Sequence, residues 1–238
     1  FQLHDADDDR VRRYYASDVS DAVSGLHRRC YRRTVCRRVD RAADRRLQSV
    51  GSTYLTPWSG DVGIYSRVVF PFACDRLMSR NALDVARAEL LSQTAGEVLE
   101  IGFGTGLNLP HYPSGVRRIT AVDINPGMAR VATKRINDQS IPVDIRLMDG
   151  EALPLEDDSF DSVVSTWTLC SIRDVEKALE EIRRVVKPDG CLYFIEHGLS
   201  DDPWIQRWQN RLTPLQRSIA EGCHLNRNIQ ALIEVRGF

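Results

Sequence analysis

Three glycines at alternate positions, Gly102, Gly104 and Gly106, directly follow the mostly apolar run Val98-Leu99-Glu100-Ile101. A strand that empties into such a loop lets the backbone approach a ligand closely and adopt dihedrals closed to other residues. The spacing is G-x-G-x-G. Leu107 stands where a dinucleotide fingerprint needs its third glycine, which argues against a nicotinamide cofactor. Asp123 ends the next apolar run, Ile119-Thr120-Ala121-Val122. A carboxylate there can accept both hydroxyls of a ribose, or it can simply cap a helix. Asp149-Gly150-Glu151-Ala152 follows a third run, where a carboxylate can accept from the exocyclic amine of adenine. The same Asp-Gly pair is also an ordinary turn signal. Three such features, each at the carboxyl end of a successive strand, lie where an open α/β sheet binds ligands.

The elements that must position these residues are readable around them. Strands are expected at 97–101, 118–123, 143–148, 160–166 and 191–196, with helical patterns between them. A helix over 126–138 has Asn125 as N-cap and Pro126 at its first position. A second, over 174–187, carries Val175, Leu179, Ile182 and Val186 on one stripe and stops at Pro188-Asp189-Gly190. The segment 64–91 reads as helical with a break near Pro71. Alternating strands and helices predict an α/β fold with a parallel sheet.

The first 60 residues differ in character. Residues 1–50 hold 12 Arg, no Lys and 8 Asp, a balance of +4 in a chain whose net charge is −1. Tyr31, Val35, Val39, Ala43 and Leu47 recur every four residues, and Arg29, Arg33, Arg37, Arg41 and Arg45 do so two positions out of step. On a helix the two rows face opposite ways. That is either a solvated helix packed by one face or a basic helix lying on an anionic membrane surface or RNA. Residues 51–60 read as a linker, so the organisation expected is an Arg-rich helical extension and linker, 1–60, before a domain at 61–238.

Composition bounds the function. With 42% hydrophobic and 27% charged residues the chain is that of a globular protein, and its near-neutral balance gives no expectation of nucleic acid as partner. No run of about 18 apolar residues occurs, and no secretory leader is visible, so a cytoplasmic location is expected, membrane-peripheral if the basic helix docks. The six cysteines form no C-x-x-C pair. Their spacing predicts neither a metal site nor a disulfide framework, and packed, reduced thiols are expected.

Taken together, Glu100–Gly106, Val122-Asp123-Ile124-Asn125-Pro126, Asp149–Leu155, Asp157–Asp161 and Val186–Gly190 resemble the class I S-adenosylmethionine-dependent methyltransferases of the type 11 domain, over roughly 62–238. The resemblance implies a Rossmann-like, doubly wound, mostly parallel sheet with helices on both faces. It implies S-adenosylmethionine as cofactor, with Glu100, Gly102, Phe103, Gly104, Thr105, Gly106 and Asn108 around its methionine part. Asp123 and Ile124 would take the ribose and Asp149, Gly150, Glu151 and Ala152 the adenine, while Thr166 and Trp167 would line the methyl-transfer cleft. The last two strands of that fold would fall beyond Phe238, so the domain is expected to be truncated, with an open sheet edge.

Thr168–Ile172, Phe194–His197, Trp208-Gln209, Leu212-x-Pro214 and Gly222–Arg227 look like the alkyl-thiol S-methyltransferase branch of that family. Its animal members are membrane-associated and methylate small thiols. No apolar run like their long N-terminal anchor is read in residues 1–60, and the Arg-rich segment is expected as a candidate peripheral substitute. The function expected is therefore methyl transfer to a small-molecule or lipid-like acceptor. The alternatives are a quinone, phospholipid-head-group or arsenite methyltransferase, or a non-catalytic nucleotide-binding module. A thiol acceptor needs only deprotonation, whereas a hydroxyl needs a base, for which His197 is the candidate. Trp167, Trp204 and Trp208 are candidates for an apolar wall, and Cys170 and Cys223 are either soft-metalloid ligands or packing residues.

Overall fold

The computed structural model describes residues 30–36, 63–236 and Phe238. Its centre is a six-stranded sheet in the order β1-β6-β5-β2-β3-β4. The strands are β1 (Cys30–Cys36), β2 (Gly96–Ile101), β3 (Val116–Asp123), β4 (Val143–Leu147), β5 (Phe160–Thr166) and β6 (Val186–His197). β6, β5, β2, β3 and β4 are all parallel, as the Rossmann-like reading requires. The chain runs outward from β2 through β3 to β4, then crosses back to β5 on the other side of β2. The strand order therefore reverses at β2, and the crevice outside the carboxyl ends there is the natural ligand site of such a sheet.

β2 is buried almost throughout because helices cover both of its faces. Its side chains alternate between two cores. Leu99 and Ile101 join Val163, Leu192 and Phe194 under α4 (Val175–Val185) and α6 (Ile229–Val235), whose Leu179, Ile182, Ile229 and Ile233 are buried. Val98 joins Ile119, Ala121 and Ile195 under α2 (Asn81–Leu91) and α3 (Pro126–Asn137). Period-two alternation thus reports directly which layer each residue serves.

The helices begin where the sequence signals them. The Asn125 side chain accepts from the Gly127 amide at 2.8 Å, with Pro126 at the start of α3. Asp174 accepts from the Lys177 amide and opens α4, which buries Val175, Ala178, Leu179, Ile182 and Val185 on one stripe. The 64–91 segment divides differently from expectation. A π-helical turn at Tyr65–Val69 leads into α1 (Phe70–Met78), and the break falls at Ser79-Arg80 before α2. Pro71 lies in the first turn of α1, directly after the π-helical turn, and the helical path runs through it without breaking.

Two expectations are overturned at β1. Residues 30–36, inside the predicted Arg-rich helix, form a strand antiparallel to β6, with Cys30 opposite His197 and Cys36 opposite Cys191. The sheet edge outweighs the four-residue period: β6 offers a row of unpaired backbone groups, and Tyr31, Thr34 and Val35 favour a strand. The β6 edge expected to stay open is covered by this pairing. Cys191 is disulfide-bonded, against the expectation of packed free thiols, while Cys74, Cys170 and Cys223 are free. The remainder of the extension, the linker over 51–60 and most of the two periodic rows lie outside the described residues. Among the described residues no helix is long and apolar enough to cross a membrane. α5 (Pro203–Ile219) lies between β6 and α6.

Candidate functional site

The glycine loop turns back on β3. The amides of Gly102 and Phe103 both donate to the Val122 carbonyl, at 2.8 and 3.1 Å. The Gly104 amide donates to Asp123 Oδ2 at 2.7 Å, and the Asn125 amide to Asp123 Oδ1 at 2.8 Å. Asp123 is therefore tied to both sides of the crevice mouth by its own carboxylate. Burial pushes its carboxyl above the usual range, against the pull of these amides. Gly102 has φ of 74°, and a Cβ there would fall 1.9 Å from Thr168 Oγ1 on the loop after β5. Gly104, at φ 57°, has no neighbour closer than 3.9 Å to such an atom, so its backbone faces free space. Phe103 and Thr105 are buried in the loop, and the Thr105 carbonyl accepts from Arg135 at 2.9 Å.

Glu100 is wholly buried behind this loop. Asn108 Nδ2 donates to one of its oxygens at 2.8 Å and Tyr112 to the other at 2.6 Å. Burial pushes its carboxyl up to about 7, which these two donors and Arg87 moderate. Asn108 Nδ2 also reaches Thr166 Oγ1 at 3.0 Å, so one network joins β2, the loop and β5. Among the described residues Asn108 Oδ1 and Ser165 Oγ are buried without a hydrogen-bond partner. Arg87, itself buried, sits 4.9 Å over the Trp167 ring. Trp167 has φ of 52° and its amide donates to the Ile195 carbonyl at 2.7 Å. Arg87 and Tyr112 carried no motif signal. Each is buried by a partner distant in sequence.

The third feature forms a turn beside β2. Asp149 accepts from the Glu151 amide at 3.0 Å, and a Cβ on the buried Gly150 would stand 3.2 Å from Ile101 Cγ2. Glu151 accepts from the Asp174 amide at 2.9 Å, linking the turn to α4. Ile124 and Ala152 are exposed. The structure thus brings Gly104 and Asp123 into direct contact, and Glu100, Asn108 and Thr166 into one network. Trp204 and Trp208 lie exposed on α5, edge to face at 6.1 Å, whereas Trp167 is half-buried against the core.

At the carboxyl ends of β5 and β6 a second cluster forms. Glu196 is wholly buried and accepts the amides of Thr168 and Leu169, both at 2.7 Å. Burial pushes its carboxyl up to about 7, opposed by His197 and those amides. His197 Nε2 lies 3.1 Å from Cys223 Sγ, which lies 3.8 Å from Cys170 Sγ. Contact with Cys170 and the neighbouring imidazole hold the Cys223 thiol well below its ordinary value, and contact with Cys223 and burial raise Cys170. The base candidate is therefore occupied by a thiol.

Residues 99–194 match the family model described as a methyltransferase domain. The chain is 36% identical over 187 residues to rat thiol S-methyltransferase TMT1B, covering 72% of this chain and 76% of that protein. By structure it is similar to the YcgJ protein of Bacillus subtilis, with TM-score 0.54 and 24% identity over 64% of this chain and 65% of that one. It is also similar to Haemonchus contortus phosphoethanolamine N-methyltransferase 2 in complex with S-adenosyl-L-methionine, with TM-score 0.53 and 21% identity. That match covers 71% of this chain and 41% of that one.

Proposed function

From its membership of the class I S-adenosylmethionine-dependent methyltransferases, near their thiol S-methyltransferase branch, we propose that this enzyme methylates the sulfur of a small, apolar thiol. Its methyl donor is S-adenosylmethionine. The residues fit that donor. Gly104 presents backbone to open space, the Asp123 carboxylate stands at its side, and the buried Asn108 Oδ1 has no partner among the described residues. When bound, the donor supplies a methyl group already activated by a sulfonium centre.

The chain's own residues then have to hold and align. In this reading Asp123 takes the ribose hydroxyls while keeping the Gly104 and Asn125 amides in place. Gly102, Gly104 and Gly106 let the backbone close on the methionine part, with Phe103 and Thr105 anchoring the loop. Glu100 acts through Asn108, which it orients from its buried position. Ile124 and the turn Asp149–Ala152 border the nucleoside. Thr166 and Trp167, fixed by Asn108 and Arg87, face the transfer cleft. A thiol acceptor requires only that its sulfur be a thiolate, so a free base is not demanded of His197, whose Nε2 is already engaged by Cys223.

One observation carries the choice of acceptor. The likeness to the rat thiol S-methyltransferase takes in 72% of the chain, far beyond the matched domain at 99–194. The test is a panel of alkyl thiols, phenols, quinols and ethanolamine head groups with isotopically labelled donor. S-methylated products from the thiols are expected. Labelled O-, C- or N-methyl products without any thioether would reject the reading.

A further inference from the structure

Cys170, His197 and Cys223 come from three separate places in the fold: the loop after β5, the end of β6 and the loop before α6. Their Sγ, Nε2 and Sγ atoms all lie within 4.8 Å of one another. Zinc–thiolate bonds of about 2.3 Å in a tetrahedral frame put two sulfurs roughly 3.8 Å apart. The two cysteine sulfurs here stand at 3.8 Å. A zinc–imidazole bond of about 2.0 Å calls for sulfur–nitrogen separations near 3.5 Å; His197 and Cys223 stand at 3.1 Å, and His197 and Cys170, within 4.8 Å, draw together by a rotation of the imidazole when the metal binds.

The backbone around these donors is gripped from several sides. Glu196 accepts the amides of Thr168, Leu169 and Cys170. The Cys170 carbonyl accepts from the His224 amide at 2.9 Å, and Arg227 donates to the carbonyls of Leu169 and Ile172. Ligands fixed this way need little ordering on metal binding, which is what outer partners provide in metal sites. Thr168, two residues before Cys170, donates to the Gly102 carbonyl at 3.4 Å, so the trio stands beside the donor loop.

We propose that Cys170, Cys223 and His197 bind one zinc ion, and that its fourth position takes the sulfur of the acceptor thiol. Among the residues whose side chains are described no fourth protein ligand completes the trio, and two thiolates with one imidazole are a donor set that leaves zinc an open place. The proposal rests on the thiol reading above. On binding, the acceptor thiol releases its proton to solvent. The acceptor sulfur forms the new bond to the methyl carbon as the donor's carbon–sulfonium bond breaks. That electron pair stays on the donor sulfur, leaving neutral S-adenosylhomocysteine and a thioether.

The test uses the full chain, stripped of metal under reducing conditions and titrated with Zn²⁺ and, for its spectrum, Co²⁺. One equivalent should bind, with the intense visible bands of a tetrahedral thiolate site that shift when an alkyl thiol is added. Cys223→Ser and His197→Gln should each weaken zinc binding by more than about a hundredfold, beyond the loss of an outer partner. Cys74→Ser should not weaken it. Unchanged S-adenosylhomocysteine binding in the variants establishes that they fold. No metal uptake by folded wild type, a Cys170–Cys223 disulfide in reduced preparations, or zinc binding indifferent to Cys223→Ser would overturn the site. Full thiol methylation by stripped enzyme would overturn its role and leave the thiol reading intact. Metal binding with no thioether from any thiol would sink the thiol reading instead.

Discussion

Replacing Asp123 with alanine removes a carboxylate that holds two backbone amides, Gly104 at 2.7 Å and Asn125 at 2.8 Å, from either side of the crevice. Hydrogen bonds to a charged group are worth about 1.5–3 kcal/mol each. In the unliganded fold that loss is offset, because burial works against the Asp123 charge and raises its pKa. Removing a partly desolvated charge relieves that penalty. The melting temperature should therefore move little. Ligand affinity should not escape in this way. The ribose loses a charged acceptor, and the loop that frames it loses its tether. A net cost of about 1.5–3 kcal/mol corresponds to roughly ten- to a hundredfold weaker binding. Isothermal calorimetry with S-adenosylhomocysteine measures this for wild type, Asp123→Ala and Asp123→Asn. The asparagine variant keeps one acceptor oxygen and should fall between the other two. Equal affinity across the three proteins would refute the reasoning, and binding of NADH in place of S-adenosylhomocysteine would replace the cofactor.

Glu100 gives a pH signature. Its folded pKa of about 7 lies above the ordinary 4.5, so the folded state binds the proton more tightly. Its stabilising contribution is then full below about pH 4.5 and lost as pH rises through 7, on the order of 3 kcal/mol. Glu100→Gln should flatten the fall in melting temperature between about pH 5 and pH 8, and an unaltered profile would contradict the burial argument. Gly102→Ala must place a Cβ 1.9 Å from Thr168 Oγ1 at a φ of 74°. Left-handed backbone alone costs about 1–2 kcal/mol, so the variant should melt several degrees lower and bind S-adenosylhomocysteine more weakly. Wild-type values for both would mean that the loop and the β5 loop are not packed as described. Leu179→Ala, in the core under α4, should cost about 2–5 kcal/mol of stability without changing ligand affinity, as a denaturant titration paired with calorimetry would show.

The sheet was legible because strand and helix patterns alternate, and the apolar stretches of β2 and β3 run out at Gly102 and Asp123, so both the parallel sheet and the carboxyl-edge crevice follow from that pattern. The caps Asn125 and Asp174 and the apolar stripe of α4 carried their own local signals. The misread elements share a cause, which is competition from partners distant in sequence. Residues 30–36 have a helical row by spacing, but the β6 edge supplies hydrogen bonds that spacing does not report. Pro71 reads as a breaker, but the helical path passes from the π-helical turn through it, and the break falls at Ser79-Arg80. Arg87 and Tyr112 look like surface residues until the fold buries them against Trp167 and Glu100. The Cys170, His197 and Cys223 trio escaped any spacing rule. Cys223 lies 53 positions from Cys170 and 26 from His197, and they meet because β5 and β6 are adjacent and the loop before α6 is tied to the Cys170 loop by the His224 amide and Arg227.

The central claim is that a thiol sulfur receives the methyl group. Incubating the full chain with a small alkyl thiol and S-adenosylmethionine carrying a deuterated methyl group, then identifying products by mass spectrometry, tests it most directly. A trideuteromethyl thioether is expected to form in step with S-adenosylhomocysteine, at a rate that Asp123→Ala lowers at limiting donor. S-adenosylhomocysteine released with the label on oxygen, nitrogen or carbon of another acceptor, and none on sulfur, would contradict it.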